Sequence, residues 1–467
     1  MTKLDELREW AKLIVSLTEE PPVEPPIVEP PVVEPEPPVE PPVPPIIVNP
    51  PLSEWTRPEP IPRSDYMAIP TGIVQEVYIS PAGHENGTGT MSNPYLTLDH
   101  AFQVIQNRAF AVSVRFKRGG TYVSEKGSWF KSGNHFYDLD KPVLFSAYGE
   151  GELPILDFKG GGFAFEGSLT KKIEGWYFQN LRIRNGGFFI WDNVRHMVWD
   201  NVHIEGAGLG YNISGGRVEN PDINFGFAIL NSSQQDCPQG GIFSGAADLY
   251  IDNNLAQRNG TGWSHRNYYL GGNNLNQTKN VTLQRSKSFF NSPVDGHGGP
   301  SPHYTTHGYI DGLNIIDNEF TEVPNTSDSG CWGVAVDEGR TPDWGQEKFP
   351  NAVVTGNKIS YTGNQNISIS AAVNPLIGWN ELHINNSARG IGLPGKPHQA
   401  SDYFMATARV VHNKLYVPDD SIGMVIDGVD AVMEYNQIIK QGANAKGIVK
   451  DGVELAELGT NTYINQY

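Results

Sequence analysis

The densest group of chemistry-bearing residues in this chain is the run SPVDGHGGPSPHYTTHGYIDG, residues 292–312, which carries Asp295, His297, His303, His307 and Asp311 among glycines and prolines. Just upstream stand Trp263, His265, Arg266 and Tyr268. Downstream come Trp332, Asp337, Glu338, Arg340 and Trp344. Carboxylates held about 5 to 9.5 Å apart form the acid and base, or acid and nucleophile, of glycosidic hydrolysis. Asp295 with Asp337 or Glu338 is the candidate pair, because mutual repulsion raises the pKa of one member toward the range a general acid needs. His297 and His265 are further candidates for proton transfer. Arg266, Tyr268, His303, Tyr304, Trp332, Arg340 and Trp344 are the candidate substrate contacts. The opposing reading of Asp337 is a strand terminator, since Asp192, Asp427 and Asp451 sit at similar places.

A second chemistry fits the same residues. β-Elimination from a uronate needs a cation to neutralise the carboxylate and a base to take the C5 proton. His265, Arg266 and Tyr268 could serve, with calcium between Asp295 and Asp337. Hydrolysis needs no cofactor, and no acidic cluster has the spacing of a calcium loop.

These residues need elements that bring distant segments together, and the repeats supply them. Asn180-Leu181-Arg182-Ile183, Asn201-Val202-His203-Ile204, Asn318-Glu319-Phe320, Asn357-Lys358-Ile359, Asn380-Glu381-Leu382, Asn413-Lys414-Leu415 and Asn436-Gln437-Ile438 align as one column. Each is a short alternating strand opened by a residue tolerant of the left-handed turn conformation. Spacings near 21 to 23 residues, lengthened by loops, predict a parallel β-helix with asparagine amides bonded along the stack. A second strand column runs through Phe188–Trp191, Phe225–Leu230, Asn267–Leu270, Gly333–Val336, Ile367–Ser370, Gly390–Leu393, Gly423–Ile426 and Gly447–Val449. Between Leu270 and Gly333 this column is expected to break, as is the asparagine column near Arg285. The break coincides with the histidine-rich run.

Composition bounds the partners. Among 467 residues are 51 glycines, with tryptophan, tyrosine and phenylalanine at 10, 19 and 20, suiting a turn-rich stack with an aromatic surface. A formal charge of −18 excludes the basic footprint that nucleic acid or an anionic membrane requires. Only Cys237 and Cys331 are present, so neither a disulfide framework nor a zinc spacing exists and both are expected as free core thiols. No apolar run marks a secretory signal or membrane insertion.

Four regions follow. Residues 1–20 place Leu7, Trp10, Ile14 and Leu17 on the seam of an amphipathic helix, suited to docking or oligomerisation. Residues 21–62 hold 18 prolines and form a polyproline II linker reaching roughly 130 Å, or a disordered tether. Residues 63–156 open and cap the solenoid, and 157–467 form its body.

The opening segment is the most specific. The run VYISPAGHENGTGTMSNPYLTLDHAFQVI, then VRFKRGGTY and VLFSAYGEGELPILD, resembles the first coils of right-handed parallel β-helix (pectate-lyase-like) proteins that act on polysaccharides. Matching landmarks are the strand from Val77, the Gly87–Thr90 turn, Asn93-Pro94, Thr97 before a helix over residues 98–107, and Gly119–Tyr122. Thr97 can cap that helix, whose Ala101, Val104 and Ile105 face would close the open end of the solenoid. With a docking helix, a stalk and no secretion signal, the chain is most similar to a bacteriophage tailspike or tail fibre. That resemblance implies a virion protein, a homotrimer, binding or cleavage of a host capsule, lipopolysaccharide or exopolysaccharide, and attachment to other virion proteins through residues 1–20. It departs from many tailspikes in ending at Tyr467 without a large C-terminal trimerisation domain. Non-catalytic glycan binding stays open beside hydrolysis and elimination.

Overall fold

The computed structural model describes residues 56–64, 67–71, 73, 75–106, 111–125, 127–131, 141–168, 170–214, 224–260, 265–271, 277–289, 302–324, 331–336, 348–393, 407–456 and 458–466. The helix expected over 1–20 and the linker up to residue 55 lie outside them. Among the described residues no helix is long and apolar enough to cross a membrane.

Alternating side chains and left-handed turn residues fold the chain into a right-handed parallel β-helix, each coil contributing up to three short strands. The first and second faces join in one 24-stranded sheet, and the third face is a separate 13-stranded sheet. A single left-handed residue bends the chain from the first face to the second. Asn180, Asn201, Asn231, Asn253, Arg285, Asp317, Trp379, His412 and Tyr435 all stand at this bend with φ between 48° and 58°, and Gly356 takes the same place at φ 68°. Asparagine and glycine tolerate this region best.

The ladder of amides runs one residue further on. Asn318, Asn357, Asn380, Asn413, Asn436 and Asn461 are joined by Nδ2-to-Oδ1 hydrogen bonds of 2.9–3.0 Å. Each Nδ2 from Asn357 to Asn436 also donates to a carbonyl on the first face, such as Val354 O for Asn380. The single asparagine column expected from sequence is therefore two adjacent columns. Pairing of Val202 with Leu181, and of His203 with Ser233, puts Asn180 and Asn201 in the bend and Asn318 onward in the ladder. The expected gap near Arg285 is filled rather than broken. Ser286 accepts the Asn254 amide on its Oγ and donates its own amide to Asn318 Oδ1.

The interior is mainly apolar and, toward the N-terminal end, aromatic. Phe145 stacks on Phe178 and Phe178 on Trp199, while Phe163 stacks on Phe188 and Phe188 on Tyr211. Much of the aromatic content thus fills the core, where each ring removes a large apolar area from water. The helix α1 (Leu98–Gln106) closes this end. Its Leu98, Ala101, Phe102 and Ile105 are buried, and His100 N meets Thr97 Oγ1 at 3.4 Å in the capping position. At the far end Val453–Leu455 turns back antiparallel on Lys446–Lys450.

One feature departs from the expected regions. Residues 56–64, the end of the proline-rich stretch, lie on the outside of the first face. Ile61 N donates to Gln284 Oε1 at 2.9 Å, and Ile61 O accepts from Tyr250 Oη and Gln284 Nε2. Met67, Ile69 and Ile73 continue over Leu144, Tyr177, Val198, Ala228, Leu230 and Tyr250. This strap covers an apolar stripe that a solvent-facing sheet would otherwise expose.

Candidate functional site on the third face

On the third face, strand Tyr268–Leu270 pairs with Ile242–Ser244 on one side and Tyr304–Thr306 on the other. Alternate residues point to opposite sides of a sheet, so Tyr268 and Leu270 enter the core and Tyr269 points outward. Phe243, its partner one coil back, stacks on Tyr269 at 5.2 Å with an interplanar angle of 20°. Arg266 Cζ lies 5.5 Å from the Tyr269 ring centre, and the His307 ring 5.7 Å away on a tilted approach. Gly271 makes room for this group, since a Cβ there would stand 3.0 Å from Tyr269 Cε1 and 3.3 Å from His307 O.

The aromatic line continues toward the N-terminal end. The outward register runs Trp129, Ala164, Phe189, Asn212, Phe243, Tyr269. At about 4.8 Å per coil that path is about 24 Å long. Trp191 packs beside it, 5.8 Å from Trp129 and 6.2 Å from Phe189, and Lys131 Nζ sits 3.9 Å over the Trp129 ring. Trp129 is exposed, and Phe189, Trp191, Phe243 and Tyr269 are half-buried. Such partly open rings with donors at their edges suit the apolar faces and hydroxyls of sugars, just as amphipathic aromatics suit other half-wet surfaces.

The structure sorts the expected site residues into three groups. His265 and Arg266 are half-buried beside the path, and Trp332, also half-buried, stands two coils from Arg266 at the equivalent position, about 10 Å along the stack. Tyr268, His303 and Tyr304 are corrected. All three are 0% exposed. Tyr268 and Tyr304 continue the interior column of Phe188 and Tyr211, and Tyr268 Oη bonds Asn254 Oδ1 at 2.9 Å. His303 turns into the core, with Nδ1 2.6 Å from Ser288 Oγ and Nε2 3.0 Å from Glu322 Oε1. The third group, Asp295, His297, Asp337, Glu338, Arg340 and Trp344, lies outside the described residues, as does the calcium position expected between Asp295 and Asp337.

The expected break of the third-face column is also corrected. Tyr304–Thr306 keeps register with both neighbours, so the ladder is continuous through His303 and Thr306. Asp311 belongs to the first face, in strand Tyr309–Ile316, away from this group. Asp192, Asp427 and Asp451 follow directly on third-face strands, and Asp451 Oδ1 accepts the Gly428 amide at 2.7 Å. Asp451, at least, serves a turn.

Phe243, Tyr269, Phe189, Trp191 and Trp129 were not singled out from sequence. The usable signal was the alternation itself: once Tyr268 aligns with Ile242, Tyr269 and Phe243 must share the outer side.

No family model matches this sequence, and no curated protein matches it either. Solved structures do share its fold. One is the A-module of the mannuronan C-5 epimerase AlgE6 of Azotobacter vinelandii, 10% identical over 79% of this chain and 94% of that one, with a TM-score of 0.51. Another is XylC in complex with xylose, 10% identical over 83% and 86% of the two chains, with a TM-score of 0.50. At such identities the similarity shows the parallel β-helix.

Proposed function

We propose that this protein binds a polysaccharide along the outer third face and depolymerises it at the end of the aromatic path near Arg266 and His307. The observation that carries this reading is the stacked Phe243–Tyr269 pair flanked by a guanidinium and an imidazole on a solvent-facing sheet. A mannuronan epimerase and a xylose complex among the proteins of the same fold support it. In the hydrolytic form Asp295 and Asp337 or Glu338 act as the carboxylate pair, with Val336, the residue before Asp337, ending a third-face strand. β-Elimination is favoured by one specific point. Among the described residues, the charged or titratable groups against the Tyr269 ring include Arg266 and His307, a cation and a base.

The setting we propose is a phage tailspike or tail fibre in the virion, carried as a homotrimer, with residues 1–20 docking to other virion proteins. The polymer is then a host capsule, lipopolysaccharide or exopolysaccharide. Incubating the full chain with a panel of such glycans and reading new reducing ends tests the activity, and absorbance of an unsaturated uronate separates elimination from hydrolysis. Retention without new ends, unchanged in an Asp295→Ala, Asp337→Ala, Glu338→Ala triple variant, would reduce the protein to a binding fibre. No retention at all would reject the reading.

A further inference from the structure

Where the second face turns into the third, three residues from two adjacent coils meet inside the wall. His303 immediately precedes strand Tyr304–Thr306, Glu322 follows Glu319–Thr321, and Cys331 stands three residues before Val334–Val336. A nitrogen, an oxygen and a sulfur from them lie within 4.8 Å of one another. His303 and Cys331 are 0% exposed and Glu322 is 1% exposed. Their separations have the dimensions of one coordination shell. Bonds of about 2.0–2.1 Å to nitrogen or oxygen and about 2.3 Å to sulfur set tetrahedral edges of roughly 3.3 to 3.6 Å. Here Nε2 and Oε1 are 3.0 Å apart, and Sγ and Oε1 3.5 Å.

The imidazole is oriented as a ligand would be. Ser288 Oγ takes a hydrogen bond from Asn267 Nδ2 at 2.6 Å and lies 2.6 Å from His303 Nδ1. In the tautomer that donates Nδ1–H to Ser288, Nε2 turns a lone pair toward the Glu322 carboxylate. It makes no aligned hydrogen bond there despite the short distance. Two lone pairs that close repel in a low-dielectric interior unless a cation lies between them, and buried charges are ordinarily paired or bound to metal. A metal-bound histidine characteristically has its other ring nitrogen held by such a partner.

We propose that His303 Nε2, the Glu322 carboxylate and the Cys331 thiolate bind a zinc-class divalent cation that pins the corner between the second and third faces. A mixed nitrogen, oxygen and sulfur set suits zinc. Binding releases the Cys331 thiol proton to solvent. The site is structural, since all three donors are sealed from the outer surface, and it is independent of whether the third face cleaves or only binds glycan.

The test uses the full chain, purified without chelator from zinc-supplemented medium. About one zinc per chain is expected, and exchange for cobalt should give a thiolate-to-cobalt charge-transfer band. Cys331→Ser should abolish the band while Cys237→Ser, altering the other buried thiol, retains it. If Cys331→Ser does not fold, Ser288→Ala decides, with zinc affinity expected to fall about 10- to 100-fold because the ring loses its orienting partner. A chain that holds no zinc, shows no cobalt band and keeps the same Tm with and without added zinc overturns the proposal and leaves a plain His–Glu contact. A band that persists in Cys331→Ser overturns it equally.

Discussion

Tyr268 and Tyr269 are neighbours in the chain with opposite duties. Tyr268 is sealed in the interior column, its hydroxyl bonded to Asn254, and burial pushes its pKa far up. Tyr268→Ala should therefore cost about 3–5 kcal/mol, the range for removing a large core aromatic, and lower the melting temperature without a direct effect on glycan contact. Tyr269→Ala should do the reverse, leaving thermal unfolding nearly unchanged while weakening retention in affinity electrophoresis on the glycan. Equal Tm losses in the two variants would refute the assignment of faces.

A second residue-scale consequence concerns acid. Burial raises the pKa of Glu174, but His196 and Lys172, the latter 2.5 Å away, outweigh it and hold the carboxyl below its usual 4.5. A depressed carboxylate contributes stability above its unfolded pKa and loses it as the pH falls through the folded value. Wild-type stability should thus drop below about pH 4.5, and Glu174→Gln should flatten that part of the profile. Urea unfolding from pH 7 to pH 3 would show it, and identical slopes would count against the pairing.

At the scale of elements, the asparagine ladder ties consecutive coils at the edge between two faces. Asn380 Oδ1 accepts the amide and the Nδ2 of Asn357, and its own Nδ2 serves Val354 O and Asn413 Oδ1. Asn380→Ala strands several buried polar groups, each costing about 1–3 kcal/mol. Asn380→Ser should be milder, because Ser286 and Ser232 already accept the amide of the preceding coil at the equivalent place. Denaturant midpoints ordered wild type, serine, alanine are expected; serine no better than alanine would show that the amide's reach, not acceptance alone, matters.

For the molecule as a whole, a solenoid core grows coil by coil and its outer faces need protection. The strap formed by residues 56–64, 67–71 and 73 provides it on the first face, where Ile61 engages Tyr250 and Gln284 across 189 and 223 residues of sequence. Burial, with the Asp252 carboxylate adding to it, pushes the Tyr250 phenol beneath the strap up to about 12. A chain starting at Gln75 should bind a hydrophobic dye and aggregate, whereas one starting at Thr56 should not; matching dye binding would mean the stripe is covered by something else.

Much of this was legible in the chain because it is local. The left-handed residue before each strand, the strand alternation and the Thr97-capped helix are decided by sterics and hydrogen bonds within a few residues, and they name the coil and its cap. Even the substitution of Ser286 for asparagine is chemically readable once the column is aligned. The site was legible only in part. His265, Arg266 and Trp332 border the third face, but Tyr268, His303 and Tyr304, candidate substrate contacts by residue type, face the core, since a shift of one residue in a strand exchanges core and surface.

By itself, then, the sequence determined that the chain winds into a capped parallel β-helix, because that pattern is written in short-range periodicity. Only the tertiary structure decided which tyrosine faces solvent, that Phe243 meets Tyr269, that a proline-rich strap lies on the first face, and that His303, Glu322 and Cys331 share one corner. Coil lengths vary with their loops, so neighbours across the stack stand at no constant sequence interval, and only the hydrogen-bonded register brings them together.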